Sequence, residues 1–181
     1  MRVTVLGSGT SHGVPMLDCM LNNYARCPHM VCLKARTDAR YRRTRASILV
    51  EVDDANILVD TSQDFREQML ANSVRRIDAV VFTHGHADHI YGLADIRSYC
   101  RHQGGPIPIY GSDETLQCLR GAFDYVFNPP ALVGGGIPSV ETHVLEGPML
   151  VAGVMGTPVP VEPGPLNGCL GLRIGDTAYI P

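Results

Sequence analysis

The segment Thr83-His84-Gly85-His86-Ala87-Asp88-His89 constrains this chain more than any other. It gathers three of the seven histidines and directly follows the apolar run Ala79 to Phe82. That run, within Ile77 to Thr83, reads as a buried strand. After the cluster, Ile90, Leu93, Ala94 and Ile96 recur at helical spacing, which predicts a helix over Asp88 to Cys100. A polar cluster between a strand and a helix sits at the carboxyl edge of a sheet, where open α/β sheets hold ligands. Two histidines two residues apart on an extended segment point the same way, so His84 and His86 share a side. Asp88 and His89 fall where the helix begins and reach a neighbouring point. Imidazole nitrogen with carboxylate oxygen suits Zn²⁺, Mn²⁺ or Fe²⁺. Four such groups in six residues exceed the needs of one open site and fit two metals about 3.5–4 Å apart. A solvated His-rich loop, or helix caps with no metal, is the competing reading. The strand in front and the tight Gly and Ala spacers favour the metal.

The flanking pattern is that of a mixed sheet with helices packed outside. Arg2 to Leu6 reads as a strand entering the turn Gly7-Ser8-Gly9-Thr10. Residues 11 to 45 have little periodicity and read as an ordered loop. Ala46 to Val52 and Asn56 to Asp60 predict a hairpin turning at Asp53-Asp54-Ala55. Asp64 is placed to cap a short helix carrying Phe65, Met69 and Leu70. Pro106 to Tyr110 predicts a strand, and Ser112 a helix N-cap with Asp113 and Glu114 in the first turn. Asn128 to Gly136 reads as a loop. Short β-like runs follow from His143, ending in a hairpin of Leu170 to Ile174 and Thr177 to Ile180.

Composition excludes several alternatives. At 181 residues, 45% apolar, the chain is expected to form one domain over its whole length. Its 19 Gly and 13 Pro argue for turns rather than a helical bundle. A formal charge of −3 demands neither nucleic acid nor an anionic membrane. No apolar run reaches the ~18 residues of a spanning helix. The first residues lack the apolar stretch of a signal peptide, so a cytoplasmic location, with free or metal-bound thiols, is expected for the six cysteines.

THGHADH resembles the signature of the metallo-β-lactamase superfamily. The opening, Val5-Leu6-Gly7-Ser8-Gly9-Thr10-Ser11-His12-Gly13-Val14-Pro15, resembles the branch that contains the phosphoribosyl cyclic phosphate phosphodiesterases. Arg43 to Val50 resembles that branch's second strand. Ile57 to Thr61 with Asp64-Phe65-Arg66 resembles its third strand and turn. The resemblance implies an αβ/βα four-layer sandwich with metals at one edge of two sheets. It implies that His84 and His86 hold a first metal, and Asp88 and His89 a second. Asp60 falls on an acidic position that orients a ligating histidine, or else caps a turn, so Asp60 and Asp88 are the candidate catalytic carboxylates. The implied cofactors are two divalent ions, Zn or Mn. The implied substrate is a small phosphate ester attacked by a metal-bound hydroxide. No membrane partner is expected, nucleic acid is not expected, and a homodimer is left open.

The pattern also departs from the family. A further ligating His belongs in a segment like P-V-x-H-G, where this chain has Pro160-Val161-Glu162-Pro163-Gly164. Pro163 occupies the His position, and Glu162 offers only an oxygen substitute. The family's bridging Asp follows a strand like A-Y-I-T-D, and Ala178-Tyr179-Ile180-Pro181 stops one residue before it. The expectation is a domain truncated at its C-terminus, holding the first half of the metal shell.

Two further features lie in the Cys- and Arg-rich excursion of about 15 to 45. Cys19, Cys27 and Cys32 are candidates for a structural zinc, with His29 or a later residue as the fourth ligand, or are free thiols. Cys100, Cys118 and Cys169 read as small core residues, and His102 and His143 as surface residues. Arg36, Arg40, Arg42, Arg43 and Arg45 form a basic stretch. Arg43 and Arg45 are the candidates for phosphate binding, against a solvated loop. His12 faces the metals or closes its loop. The functional readings are therefore three: a phosphodiesterase, a tRNA 3′-processing endonuclease, and a degenerate metal-binding protein without catalysis. The lack of a Lys-rich arm weighs against the nuclease, since Lys34 is the only lysine. A fourth relative, the B protein of pyrroloquinoline quinone biosynthesis, usually carries a degraded metal motif, whereas THGHADH is intact.

Overall fold

The computed structural model describes residues 1–129, 136–161 and 168–181. Glu162 and Pro163, the departures from the expected ligand segment, lie outside the described residues. Two sheets stack face to face. The first has six strands in the order β1 (Arg2–Gly7), β2 (Ser47–Val52), β3 (Ala55–Val59), β4 (Ala79–Val81), β5 (Ile107–Gly111) and β6 (Val140–Val144). β1, β2 and β3 pair antiparallel, and β3 to β6 pair parallel. The second is an antiparallel sheet of β7 (Met149–Val151), β8 (Val154–Pro160), β9 (Leu170–Ile174) and β10 (Thr177–Tyr179).

Alternation along the strands sorts the apolar side chains between two cores. Ile48, Val50, Ile57, Val59, Ala79 and Val81 point between the sheets and meet Val151, Leu172 and Ile174. Leu49, Leu58, Val80 and Phe82 point to the other face, against the helices. β3 and β4 are buried on both faces, which explains their unbroken apolar runs. Three layers of the expected four-layer αβ/βα sandwich are therefore present among the described residues: helices, sheet, sheet. Every helix among them precedes β6, and Leu150 and Met155 on the second sheet are exposed.

The helices are shorter than the spacing predicted. In the excursion the structure has α1 (Leu17–Leu21), α2 (Val31–Thr37) and two 3₁₀ turns where an ordered loop was expected. α3 (Phe65–Ala71) begins after Asp64, but Asp64 does not cap it. Its carboxylate instead accepts the Arg45 backbone N–H at 2.9 Å and pairs with the Arg45 guanidinium at 3.0 Å. A charged partner outcompetes a neutral cap. The expected helix Asp88 to Cys100 breaks into α4 (Ala87–Ile90), a 3₁₀ turn (Leu93–Ile96) and α5 (Arg97–Gln103). The break falls at Gly92, whose N–H leaves the helix ladder for the Thr61 carbonyl. α6 (Asp113–Ala122) is capped as expected, with Ser112 Oγ accepting from the Thr115 N–H, and α7 (Asp124–Phe127) follows it.

Candidate metal centre

The end of β4 fixes the cluster in place. Phe82 N–H donates to the Tyr110 carbonyl of β5, and Leu170 N–H of β9 donates to the Thr83 carbonyl. The residues before His84 are thus held by both sheets. His86 is the N-cap residue of α4, Asp88 lies in its first turn, and His89 follows. The ring centroids of His84 and His89 are 3.9 Å apart, and those of His84 and His86 are 5.0 Å apart. His89 Nε2 lies 3.3 Å from an Asp88 carboxylate oxygen. His84 and His89 are buried and His86 is exposed. The four candidates from the sequence are thus brought together in one turn.

Behind them lies a carboxylate with no solvent access. Asp60 is 0% exposed. It accepts the Thr83 N–H at 2.8 Å, the Thr83 hydroxyl at 2.8 Å and the His89 Nδ1–H at 2.7 Å. Three donors offset the large cost of burying an ionised carboxylate. The residue sits just past β3 in the left-handed region, at φ +63, a conformation Asp tolerates better than most residues.

This network dictates the histidine tautomers. Thr83 Oγ gives its only proton to Asp60, so at 3.0 Å it accepts one from His84 Nδ1. His89 Nδ1 likewise gives its proton to Asp60. Both rings are left presenting an Nε2 lone pair. Thr83, to which the sequence reading gave no role, is therefore the hinge of the arrangement. Its position directly before the first histidine was the available signal.

The donor set fits a metal, on one observation above all. The His89 Nε2 lone pair faces an acceptor oxygen of Asp88 at 3.3 Å, a contact that calls for a proton or a cation. Burial pushes the His89 pKa down, but the Asp60 hydrogen bond and the charges of Asp60 and Asp88 outweigh it, so the net shift is upward. His84 goes the other way, to about 4, through burial first and then the neighbouring His89, and is neutral at neutral pH. A neutral buried imidazole is a ready ligand.

Gly85 lets the turn lie against α6. A Cβ there would stand 2.6 Å from Cys118 Cβ and 2.7 Å from its Sγ. Cys118 is exposed, not the core residue expected, and Cys169 is only half-buried. His143, expected at the surface, stacks on Tyr110 with centroids 4.8 Å apart.

The other candidates lie elsewhere. Among the described residues, only Cys19, Cys27 and Cys32 bring three ligand atoms all within 4.8 Å of one another. Cys27 and Cys32 are buried with Tyr24, under Val14 and Met16. Cys27 Sγ accepts the Cys32 N–H at 3.2 Å, and Cys32 Sγ the Met16 N–H at 3.5 Å. The backbone N–H of Cys32 is the largest influence on Cys27, pulling its pKa down, while Cys19 is pushed up to about 12 by its hydrogen bond to Cys32. His29 is exposed and not part of this group. Arg43 and Arg45 line a separate groove with His12, and none of the four His-Asp candidates lines it.

The two sheets stack with the turn at their shared edge. A family described as beta-lactamase superfamily domain matches residues 55–181, and the chain belongs to that superfamily. It is 34% identical over 182 residues to an octanoyltransferase of Porphyromonas gingivalis, covering 99% of this chain and 34% of that protein. A solved diphosphatase from the PhnP family superposes with a TM-score of 0.79 at 38% identity, covering 98% of this chain and 64% of that one. Zn²⁺-bound PqqB from Methylobacterium extorquens superposes at 0.71 with 26% identity, covering 100% of this chain and 65% of that one. The chain thus spans about a third of that curated relative and just under two thirds of these solved ones. Among the described residues no helix is long and apolar enough to cross a membrane.

Proposed function

We propose that this chain supplies His84, His86, Asp88 and His89 to a two-metal centre that hydrolyses a phosphodiester, with a small cyclic phosphate ester as the substrate class. The observation that carries the reading is the Asp60–Thr83 network, which occupies the Nδ1 atoms of His84 and His89 and leaves both Nε2 atoms to a metal, with the Asp88 carboxylate beside that of His89. The likeness to a PhnP-family diphosphatase supports phosphorus chemistry over other hydrolyses. Divalent zinc or manganese, when bound, supplies an activated water and polarises the phosphoryl oxygens. The chain's own residues do the rest. Asp60 fixes the rings of His84 and His89 and, by holding its negative charge behind them, raises their basicity as ligands. Burial of Thr83, His84 and His89 keeps water from competing at Asp60. The three clustered thiols are assigned to a structural zinc, and the exposed Arg stretch to no step of the reaction. The likeness to PqqB favours one second reading, metal binding without phosphodiester turnover.

The test separates the two. The full-length protein is assayed with bis-p-nitrophenyl phosphate and a ribose cyclic phosphate, with added Mn²⁺ or Zn²⁺. Turnover is expected, and His86→Ala, which removes an exposed ligand without disturbing the Asp60 network, is expected to lower it at least 100-fold. Metal content without turnover in the wild type selects the second reading, and turnover equal in wild type and His86→Ala removes the first.

A further inference from the structure

A groove of about 470 Å³ opens between the excursion and the loop before α3. Its charged lining is Arg36, Arg42, Arg43, Arg45, Asp64 and Glu67, four positive groups against two negative. Arg45 is closed on Asp64, its Nη1 reaching both carboxylate oxygens, and only neutralises it. The remainder is positive by two charges, on a chain whose overall charge is −3.

The arginines beside that pair are not loose surface cations. Arg42 Nε donates to the Ala35 carbonyl at 2.9 Å and its Nη2 to the Arg36 carbonyl at 3.3 Å. Arg43 Nη1 donates to the carbonyls of Arg40 and Arg42 at 2.8 and 2.6 Å. The backbone therefore holds each guanidinium by one edge. Arg42 Nη1, and Arg43 Nε and Nη2, have no partner among the described residues. A guanidinium fixed by one edge loses less rotamer freedom when its other edge binds an oxyanion. The volume falls in the usual range for small-molecule sites, roughly 300–1,000 Å³.

We infer that this groove binds a small oligophosphate, free or as part of a nucleotide, through the unused edges of Arg42 and Arg43 together with Arg36 of the same lining. Arg36, Arg42 and Arg43 carry three positive charges against the one negative charge of Glu67, so a phosphate dianion balances the groove and a diphosphate of three negative charges engages all three guanidiniums. This inference does not rest on the hydrolytic reading, because the groove and the His-Asp turn share no lining residue.

Calorimetric titration of the metal-free, full-length protein with inorganic pyrophosphate, in chelator, tests it. One pyrophosphate per chain is expected. Arg43→Ala should weaken binding at least 10-fold, and Arg43→Lys, which keeps the charge but loses the fork, at least 3-fold. Arg36→Ala serves as a second variant, since among the described residues its guanidinium makes only a 3.5 Å contact with the Tyr24 hydroxyl and its loss spares the anchored pair. His86→Ala should leave pyrophosphate binding unchanged, so failure of the hydrolytic reading would not imitate failure here. Adenosine diphosphate run in parallel distinguishes the sources: tighter binding than pyrophosphate identifies a nucleotide, and equal or weaker binding a free oligophosphate. Absence of binding, or binding unmoved by both Arg43→Ala and Arg36→Ala, overturns the inference.

Discussion

The His-Asp turn and the Cys cluster gather ligands by opposite means. The turn spans six residues, from His84 to His89, and is held by both sheets. Its order comes from outside, through a buried carboxylate and a strand end that has nowhere to move. The Cys cluster spans 14 positions, with Cys19 in α1, Cys32 in α2 and one 3₁₀ turn between those helices. Four residues there, Asn23, Tyr24, His29 and Met30, adopt left-handed backbone without being glycine. Each such residue costs roughly 1–2 kcal/mol, which local sulfur–backbone bonds and a small apolar pocket must offset. Rigidity borrowed from a sheet lets ligands stand ready, whereas a site built from a loop depends on what it holds.

The largest effect expected from this difference is at Asp60. Asp60→Asn keeps the volume but turns one acceptor into a donor facing Thr83 Oγ or His89 Nδ1. Breaking such a buried charged pair should cost about 3 kcal/mol or more in the metal-free protein. Metal affinity at the turn should fall about 10–100-fold. Urea unfolding in chelator and a metal titration check the two numbers, and the thiol cluster should be unaffected. A stability within 1 kcal/mol of wild type would mean that the carboxylate does not organise the turn.

Gly85→Ala comes next. The new Cβ would overlap Cys118, and overpacking of this kind costs about 1–3 kcal/mol. Cys118→Ala removes the Sγ contact but leaves Cβ, so it should recover only part of the loss. Thermal melts of the single and double variants measure this. Full additivity would show that the two side chains do not meet.

Much of the fold was legible because β3, β4 and the turn carry unambiguous local signals. Apolar runs of strand length ended at Gly, Asp or Thr, and the spacing of His84, His86, Asp88 and His89 fixed which donors lie together. What the sequence hid was tertiary competition. Asp64 carries a cap signal, yet Arg45, 19 residues away, takes it. The periodicity of Asp88 to Cys100 is continuous, yet Gly92 N–H bonds to Thr61 and splits the helix. Cys118 looks like a core residue by pattern, but it is exposed and lies over Gly85, a closeness that only the fold creates. The Cys cluster was half legible: the residues are plain, but the loop's left-handed turns, which close 14 positions onto one point, carry no glycine to announce them.

The smallest expected effect is at Cys27, and it tests the comparison from the loop's side. In chelator, Cys27→Ala removes one buried sulfur and the acceptor of the Cys32 N–H, at the foot of a seven-residue helix. Without metal the loss should be about 1 kcal/mol, the scale of one neutral hydrogen bond. If the thiols hold zinc, the wild type gains stability on zinc addition that the variant lacks, by an amount rising with free zinc as binding linkage requires. The effect must be confined to the excursion, because the groups that hold the turn are Asp60, Thr83 and both sheets. Metal binding by His84 to His89 should therefore be equal in the two proteins. A zinc-dependent difference in melting with an unchanged turn would establish two independent sites. A turn that also loses its metal in Cys27→Ala would show that the excursion braces the sheet edge, and that the two regions are one cooperative unit.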